Sequence, residues 1–507
     1  MDIETLLSFR WSIMAPEFII LGVATILSLL DLFMPKTVNR KVLGWFGLAG
    51  ILAALVFLIG QLGIETNSIL YETYRLDSFA KAFKLLLLIG AAFVFLLALS
   101  YEPKEDMSEY RGEFYYLFLA ALLGTMMMSS SGDLITLFIG LELLSISSYV
   151  LAGMRKKNLA SNESAMKYVI NGGISTAITL FGLSYVYGLT GTTNLLDMAR
   201  YLVTLSDTQH IYLLGLAFFM VFVGLSFKLA TAPFHMWAPD VYQGAPTPVT
   251  AFLSVVSKTA GFVIMIRILM VIFYNIPTEG PDGFANMSLL MRVQDYIAFL
   301  AAATMIVGNV IALRQRNIKR LFAYSSIAQA GYLLVVVASM SVFLFDTLWF
   351  YLGAYLFMNL GAFAVIQIVT QKSGTEDISQ FAGLYRKAPV LAIAMAVFIL
   401  SLAGIPGTAG FIGKLNIFLG ALAVEPAHYV LVSIMIATTV VSYVYYFGVM
   451  VQMFFRPAVD EVKFKVPGTI AVVLGISVFA TILFGVAPNI ALDFLQGNFH
   501  QFSDFFR

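Results

Sequence analysis

The chain has 507 residues, of which 60% are hydrophobic and 12% are charged, and its formal net charge is +1. An ordinary soluble domain has about 25% charged residues, so this composition excludes a soluble enzyme. With no cysteine in the sequence, a disulfide scaffold and any thiolate-ligated zinc or iron–sulfur site are also excluded. The small net charge gives no indication of a nucleic-acid partner.

The hydropathy pattern predicts an all-α polytopic membrane protein, because each helical crossing needs about 20 apolar residues. The start of the chain has Asp2, Glu4 and a single Arg10 without a small-residue cleavage site, so we expect no cleaved signal peptide. Nowhere does the sequence show the alternating hydrophobicity of a membrane β-barrel. The fourteen predicted spans cover residues 15–35, 43–63, 77–100, 113–130, 133–154, 164–190, 209–231, 247–275, 293–313, 320–340, 344–371, 389–422, 427–455 and 466–488.

The distribution of Lys and Arg predicts the orientation of these spans, because cytoplasmic connections are enriched in basic residues. Of the 30 basic residues, 19 lie in connections after odd-numbered spans, 5 lie on the opposite side with the termini, and 6 lie within spans. We therefore expect both termini to face away from the cytoplasm.

Spans seven and twelve are interrupted. The seventh ends in Lys228–His235, which contains a proline, and the twelfth contains Gly404–Gly410 shortly before Lys414. Such breaks persist at membrane depth only where protein or a water-filled cavity surrounds them. The two lysines are 186 residues apart, an offset that maps spans 4–8 onto spans 9–13 as two inverted five-helix repeats, as in secondary transporters. The predicted parts are an N-terminal three-helix segment, two repeats, and a C-terminal helix with its tail, covering residues 1–112, 113–275, 276–455 and 456–507.

Among the charged residues within apolar spans, four form a sparse set, and a charge at mid-bilayer costs at least about 2.5–3.5 kcal/mol. They are Glu142 in span five, Lys228 late in span seven, Lys258 in the middle of span eight and Lys414 after the break of span twelve. We interpret them as a proton relay. The alternative is one structural ion pair with two lysines that extend to the membrane interface, which the central position of Lys258 disfavours.

A free lysine has a pKa of about 10.4. To release its proton near pH 7, its environment must destabilise the charged form by about 4.6 kcal/mol. Burial disfavours the charged form, whereas a carboxylate about 4 Å away favours it by about 4 kcal/mol, and by half of that at about 8 Å. A change of a few ångströms between Glu142 and Lys228 would therefore suffice to load and release a proton. The hypothesis requires these two residues to face each other across adjacent helices.

Other charges near the span ends have simpler explanations. We expect Lys81 and Lys84 to extend to the interface, and Glu17 and Asp31 to face lipid headgroups or a neighbouring subunit. Arg267 lies closer to the end of its helix than Lys258 does. We predict that it is a structural anchor.

Several neutral polar residues have two open interpretations. His235 follows the break of span seven. A packing role and a role in proton transfer are equally open there, and an unperturbed histidine pKa of about 6.5 suits the second. Ser325, Ser326 and Gln329 in span ten could align a water chain or serve as contacts between helices.

The sequence has no G-x-G-x-x-G turn opening a helix and no P-loop. Its histidines are too scattered to predict a haem or metal site; they are His210, His235, His428 and His500. We therefore expect no cofactor and no metal in this chain.

Three segments resemble a known family. Residues Phe227–Val249, FKLATAPFHMWAPDVYQGAPTPV, are similar to the signature of the antiporter-like membrane subunits of respiratory complex I, and with Ser257 and Lys258 most similar to the subunit N family of NADH–quinone oxidoreductase. Residues Arg316–Tyr332, RNIKRLFAYSSIAQAGY, and Gly404–Lys414 are similarly typical. The resemblance covers essentially the whole chain.

The resemblance implies that Glu142, Lys228, Lys258 and Lys414 match the proton-channel residues of the family. It also implies a bacterial cell-membrane complex whose other subunits pass electrons from NADH through FMN and iron–sulfur clusters to quinone, with other membrane subunits and the lipid bilayer as partners. Sister subunits have glutamate at the position of Lys414, which favours subunit N, and the short tail after span fourteen disfavours the longest sister. Gln329 stands where sister subunits place a histidine.

Two alternatives remain open from the sequence. One is a subunit of a multi-subunit sodium/proton antiporter without a redox partner, whose members share the span-seven motif. The other is a membrane scaffold in which the buried charges only fix helix packing.

Overall fold

The computed structural model describes residues 3–35, 37–102, 110–204, 208–279, 286–458, 464–499 and 502–506. In chain order, its first helices are α1 (Ile3–Ser8), α2 (Ala15–Phe33), α3 (Lys41–Gly60), α4 (Ser78–Ser100), α5 (Arg111–Ser129), α6 (Leu134–Ala152) and α7 (Leu159–Thr190). They are followed by α8 (Leu195–Val203), α9 (Thr208–Leu229), α10 (Trp237–Gly244), α11 (Thr247–Val271), α12 (Leu289–Arg292), α13 (Gln294–Ala312), α14 (Ile318–Ser339) and α15 (Leu344–Ser373). The last are α16 (Leu384–Lys387), α17 (Pro389–Ala403), α18 (Ala409–Leu422), α19 (Tyr429–Phe455), α20 (Gly468–Val486) and α21 (Asn489–Phe499).

The strands are confined to two short antiparallel hairpins within the described residues. One pairs β1 (Asn67–Ile69) with β2 (Tyr74–Leu76), and the other pairs β3 (Pro277–Glu279) with β4 (Asn286–Ser288). Both hairpins lie in connections between long helices.

Thirteen helical segments of the described chain are long and apolar enough to cross a membrane. The remaining predicted span is the pair α17 and α18, each of which is too short to cross alone because the break after Ala403 divides them. These helices confirm the all-α polytopic fold class with about fourteen spans and with breaks in spans seven and twelve. The repeats share a packing order: α5 pairs with α6 as α13 pairs with α14, and α7 packs on α9 and α10 as α15 packs on α17 and α18.

Four helices form the interior of the bundle. Nearly every residue of α4, α11, α14 and α15 is buried by neighbouring helices, whereas α2, α7 and α20 leave most of theirs on the outer surface. Lys258 on α11 and Gln329 on α14 therefore lie in protein rather than against lipid.

The prediction that Lys84 extends to the interface is wrong. Its side chain is fully buried, forms an ion pair with Glu17, and donates a hydrogen bond to the Tyr74 hydroxyl at 2.8 Å. Glu17 accepts a second bond from Tyr74 at 2.9 Å, so the expectation that Glu17 faces headgroups or a neighbouring subunit is also wrong. The physical reason is the β1–β2 hairpin, which brings Tyr74 over the start of span three and closes this pocket.

Two further charges are paired locally. Lys81 is buried and donates to the carbonyl oxygen of Ile64, in the connection before α4, at 2.8 Å, and the expectation that it extends to the interface stays a prediction. Asp31 accepts a hydrogen bond from Arg40 in the next connection at 2.8 Å instead of facing a headgroup or a partner.

Arg267 is confirmed as a structural anchor. Its guanidinium donates to both carboxylate oxygens of Asp77, at 2.5 and 3.1 Å, and to the backbone oxygen of Ser129. The same group lies over the rings of Phe79 and Phe505, 4.9 and 5.3 Å from their centres. Arg267 thus joins α11 to the starts and ends of neighbouring helices and to the C-terminal tail.

The membrane orientation and the division into four parts stay predictions. Of the residues named or counted above, Asp2, Lys36, Lys104, Lys463, His500 and Arg507 lie outside the described residues.

Candidate functional site

The break of span seven places Lys228 in the last turn of α9. Beyond Leu229 the helix ends, and the backbone N–H of Ala232 donates to the Thr304 hydroxyl of α13 at 3.0 Å. The freed carbonyl of Phe227 accepts a hydrogen bond from the Trp237 indole at 3.0 Å, which fixes α10 against the end of α9. Side chains and neighbouring helices therefore satisfy the backbone groups of the break, as membrane depth requires.

Lys228 and Glu142 lie near each other without an ion pair. The Lys228 ammonium donates to the Ser145 hydroxyl at 3.2 Å, and Ser145 follows Glu142 by less than one turn of α6. The half-buried Glu142 accepts a hydrogen bond from Thr176 on α7 at 2.8 Å. Both residues are described, and they form no ion pair with each other, since the Lys228 ammonium is bound to Ser145 and the Glu142 carboxylate to Thr176.

On α11, Lys258 lies about one turn before Gly261, the residue that contacts Lys228. The aliphatic stem of Lys228 packs on Gly261, where a Cβ atom would lie 3.5 Å from Lys228 Cγ and 2.8 Å from Leu229 Cδ2. A glycine at this position therefore allows the end of α9 to approach α11 closely.

The ammonium group of Lys258 is held by neutral oxygens on α14. It donates to the Ser326 hydroxyl at 2.5 Å and to the Ser326 backbone oxygen. The same hydroxyl accepts a bond from Tyr355 at 3.0 Å and lies 3.5 Å from the Tyr242 hydroxyl, and Asn359 donates to Tyr355 at 3.0 Å. Ser326 is thus the hydroxyl on which one ammonium and two phenols converge.

Gln329 continues this polar chain one turn further along α14. Its amide oxygen accepts a hydrogen bond from Tyr351, and its amide nitrogen donates to the Leu402 carbonyl oxygen at 3.3 Å. The Leu402 carbonyl also accepts a bond from the Lys414 ammonium at 3.0 Å. One backbone oxygen therefore connects Gln329 with the last lysine of the series.

The break of span twelve creates the site that holds Lys414. Because α17 ends at Ala403, the carbonyls of its last turn lack helical donors, and Lys414 donates to those of Leu402 and Ala403, at 3.0 and 3.2 Å. Gly404 has a φ of 81°, and a Cβ there would lie 3.0 Å from Lys414 Cδ. Only glycine combines that backbone conformation with the close approach of the lysine.

The structure does not bring His235 into this series. Its ring packs edge-on against Tyr324 with ring centres 6.5 Å apart, and within the described chain no hydrogen bond joins it to any of the four charged residues. Ser325 points to another neighbour, because its hydroxyl lies 2.5 Å from that of Tyr446.

Asp240 links the two repeats, a role that was not predicted from the sequence. Its carboxylate accepts hydrogen bonds from Lys167 of α7 at 2.6 Å and from Arg320 of α14 at 2.5 Å. Asp240 was visible within the span-seven motif, but its partners stand 73 and 80 residues away in sequence, so no local pattern indicates them.

Three of the buried lysines share one chemical property. Each ammonium is bound by hydroxyl or carbonyl oxygens, and within the described residues no carboxylate lies within 4.0 Å of Lys228, Lys258 or Lys414. Neutral oxygens leave no charge behind when a proton departs, so such a site can hold both the ammonium and the amine form. The described residues contain no cluster of metal-ligating side chains.

Comparison with known proteins identifies relatives along the whole chain. Residues 131–442 match the family model described as "NADH:quinone oxidoreductase/Mrp antiporter, TM". The NADH-quinone oxidoreductase subunit N of Anoxybacillus flavithermus (strain DSM 21510 / WK1) is 63% identical over 506 residues, covering 100% of both chains.

Solved structures agree with these sequence relatives. A chain of respiratory complex I from Thermus thermophilus with bound aureothin is 31% identical, has a TM-score of 0.75, and is matched over 94% of this chain and 98% of that one. A chain of the Mrp complex from Dietzia sp. DQ12-45-1b, with 18% identity and a TM-score of 0.81 over 98% of both chains, shares the fold.

Proposed function

Because this chain belongs to the subunit N family of NADH–quinone oxidoreductase, the antiporter-like membrane subunits of respiratory complex I, we propose that it moves protons through Glu142, Lys228, Lys258 and Lys414. Electron transfer from NADH to quinone, through FMN and iron–sulfur clusters on other subunits, supplies the energy in this proposal. The chain is then one subunit of a translocase and contributes the proton path alone.

In the proposed loading step, Lys228 receives a proton while Glu142 is close and releases it when the two separate. The structure supports this step with a lysine bound to the Ser145 hydroxyl and a carboxylate bound to the Thr176 hydroxyl on another helix. A hydroxyl can exchange partners without leaving a buried charge unpaired. The energy of attraction halves when the charge separation doubles from about 4 to about 8 Å, so small shifts of α6 against α9 are sufficient.

The observation that carries the proposal is a row of polar contacts between Lys258 and Lys414. Lys258 donates to the Ser326 hydroxyl, and one turn further along α14 the Gln329 amide donates to the Leu402 carbonyl oxygen, which also accepts a hydrogen bond from Lys414. A proton released by Lys258 moves along water aligned by these groups to the amine of Lys414. A purely structural role for the two lysines would not require Gln329, one turn from the partner of Lys258, to share a backbone oxygen with Lys414.

The test substitutes Glu142→Ala or Lys228→Ala in the assembled complex and measures NADH-driven proton translocation in reconstituted vesicles. We expect normal assembly with lost pumping, because the lost groups carry the proton. The exposed Lys372 provides a matched control, since Lys372→Ala removes the same charge outside the bundle. Normal assembly with undiminished pumping in both buried variants would refute the relay and support the scaffold alternative.

The chain is a multi-pass membrane protein. We infer that it lies in the cell membrane of a bacterium, with both termini away from the cytoplasm and with other membrane subunits as partners. A cysteine reagent that reacts with a C-terminal cysteine only from outside the cell would support the orientation. Reaction only from the cytoplasmic side would refute it.

A second candidate is a sodium/proton antiporter subunit without a redox partner, which the family description and the shared fold favour. Purification of the chain with its native partners separates the two candidates. Flavin and iron–sulfur chains in the complex support NADH–quinone oxidoreductase, and their consistent absence supports the antiporter.

A further inference from the structure

A groove runs between the ends of α13 and α19, away from the path from Lys258 to Lys414. It has a volume of about 460 Å³, and its lining includes Arg316, Asp377 and Gln452 near the surface and Tyr445 at its inner end. The seven residues from Gln452 back to Tyr445 correspond to about 10 Å along α19. The groove therefore reaches from the 313–317 connection well into the bundle.

Three polar side chains continue inward from the groove. The Tyr445 hydroxyl donates to the Asn309 amide oxygen at 2.9 Å, and the Asn309 amide nitrogen donates to the Tyr332 hydroxyl at 3.2 Å. Thr439 also donates to Tyr332, at 3.3 Å. The ring of Tyr332 lies under the ammonium of Lys414, 4.7 Å from nitrogen to ring centre.

Helix-to-helix adhesion explains this arrangement only in part. The fully buried Asn309 side chain already has a bond to the Met305 carbonyl of its own helix at 2.8 Å, and it still joins two phenols on two other helices. Tyr332 accepts the bonds from Asn309 and Thr439, and its hydroxyl also contacts Thr438. The three groups thus form an ordered polar connection between an open groove and a buried lysine.

We propose that this groove is a second proton-uptake route, which loads Lys414 directly from the side of the membrane where the 313–317 connection lies. This inference rests on the relay proposed above. A hydronium ion that reaches Lys414 gives its proton to the neutral amine nitrogen and remains as water. Tyr445 and Asn309 are positioning residues. Through their hydrogen bonds they fix the position of the Tyr332 hydroxyl, and they neither form nor break a covalent bond.

Because the chain has no cysteine, single cysteines can map water along the route. Gly448→Cys reports on the groove wall, where nothing lies within 4 Å of an added Cβ, and Thr439→Cys reports on the position beyond the groove, beside the Tyr332 hydroxyl. Val440→Cys, exposed on the outer face, is the matched control, and Arg316→Cys marks the side of the connection. Assembled complex in vesicles of each orientation is treated with a charged, membrane-impermeant methanethiosulfonate, and the chain is then isolated.

We expect Gly448→Cys and Thr439→Cys to react at least about tenfold faster than Val440→Cys, because the reactive thiolate forms in water and not in lipid. Both should react only from the side on which Arg316→Cys reacts. An unreactive Thr439→Cys, or reaction from the opposite side alone, overturns the route.

If Thr439→Cys does not assemble, Ser442→Cys replaces it with the same expected and contradicting results, since it exchanges only oxygen for sulfur at a buried position between residues 439 and 445. Labelling needs no turnover and is therefore independent of pumping. If Thr439→Cys is not labelled and Lys414→Ala loses pumping, the uptake route is refuted and the relay is not. A labelled position 439 with undiminished pumping in Lys414→Ala refutes the relay, and the route with it.

Discussion

Two regions of the protein bury charged side chains in opposite ways. Near the N-terminal segment, two buried charges are paired with charges: Lys84 with Glu17, and Arg267 with Asp77 in a two-pronged contact. In the two repeats, Lys228, Lys258 and Lys414 are instead bound by neutral oxygens, such as the hydroxyl of Ser326, whereas the buried Lys319 pairs with Glu376 at 2.8 Å.

The difference indicates which charges hold the fold and which can change. A buried ion pair that loses one partner leaves an uncompensated charge, which costs about 3–5 kcal/mol, so such a pair stays charged. A lysine among hydroxyls and carbonyls leaves nothing unpaired when it becomes neutral. Lys84 and Arg267 are therefore structural, whereas Lys228, Lys258 and Lys414 are suited to gain and lose protons.

The largest expected effect is the loss of pumping in Lys258→Met. Because no carboxylate is left behind, we expect assembly and thermal stability to stay the same or to increase, while NADH-driven proton translocation falls about 10²- to 10⁴-fold. Native gels and vesicle proton uptake measure the two properties. Loss of assembly would contradict the contrast between the two regions.

The next effect is on stability. Lys84→Met leaves the Glu17 carboxylate buried and unpaired, so we expect a loss of about 3–5 kcal/mol in the stability of the assembled complex. The double variant Glu17→Gln/Lys84→Met should recover most of that loss, since it removes both charges. Thermal denaturation of the purified complex compares the variants, and a double variant as unstable as Lys84→Met would show that this pair does not act as a unit.

A smaller effect is expected for the amide between the two halves of the path. Gln329→Leu removes the bonds to Tyr351 and to the Leu402 carbonyl, and we expect proton translocation to slow about tenfold to a hundredfold. Gln329→His keeps a donor and an acceptor and should retain most of the rate. Equal rates in the leucine and histidine variants would exclude a positioning role for Gln329.

The smallest effect concerns the C-terminal tail outside the membrane. Burial would raise the pKa of Asp504, but hydrogen bonds from Thr66 and from the Ser78 backbone, the latter at 2.8 Å, hold that pKa below its ordinary value. The contribution to tail docking is therefore complete above the unfolded pKa of about 3.9 and is lost as the pH falls through the folded value. Proteolysis of the tail should increase below about pH 4, and Asp504→Asn should remove this pH dependence; a pH-independent wild-type tail would contradict it.

The sequence predicts the helices and their breaks well because those features are local. Runs of apolar residues determine the spans, and the segments around Pro233 and Gly404 determine where two of them stop. The buried lysines are recognisable for the same reason, since each stands alone in an apolar run.

Contacts between distant segments could not be predicted. The ion pair of Glu17 with Lys84 depends on a hairpin that no hydropathy pattern reveals, and the partner of Lys414 is a backbone oxygen of Leu402, which has no side-chain signature. Whether Glu142 and Lys228 meet depends on how α6 is positioned along α9. A shift of about one turn decides whether the Lys228 ammonium faces the Glu142 carboxylate or the Ser145 hydroxyl.

The central claim is that the buried lysines change their protonation during turnover. Reaction-induced infrared difference spectra of complex with ¹⁵Nζ-labelled lysine, started by NADH, measure this directly. We predict ammonium bands that appear and disappear with turnover and that lose one component in Lys258→Met but none in Lys372→Met. Spectra in which the wild type and Lys258→Met show the same lysine bands would contradict the account.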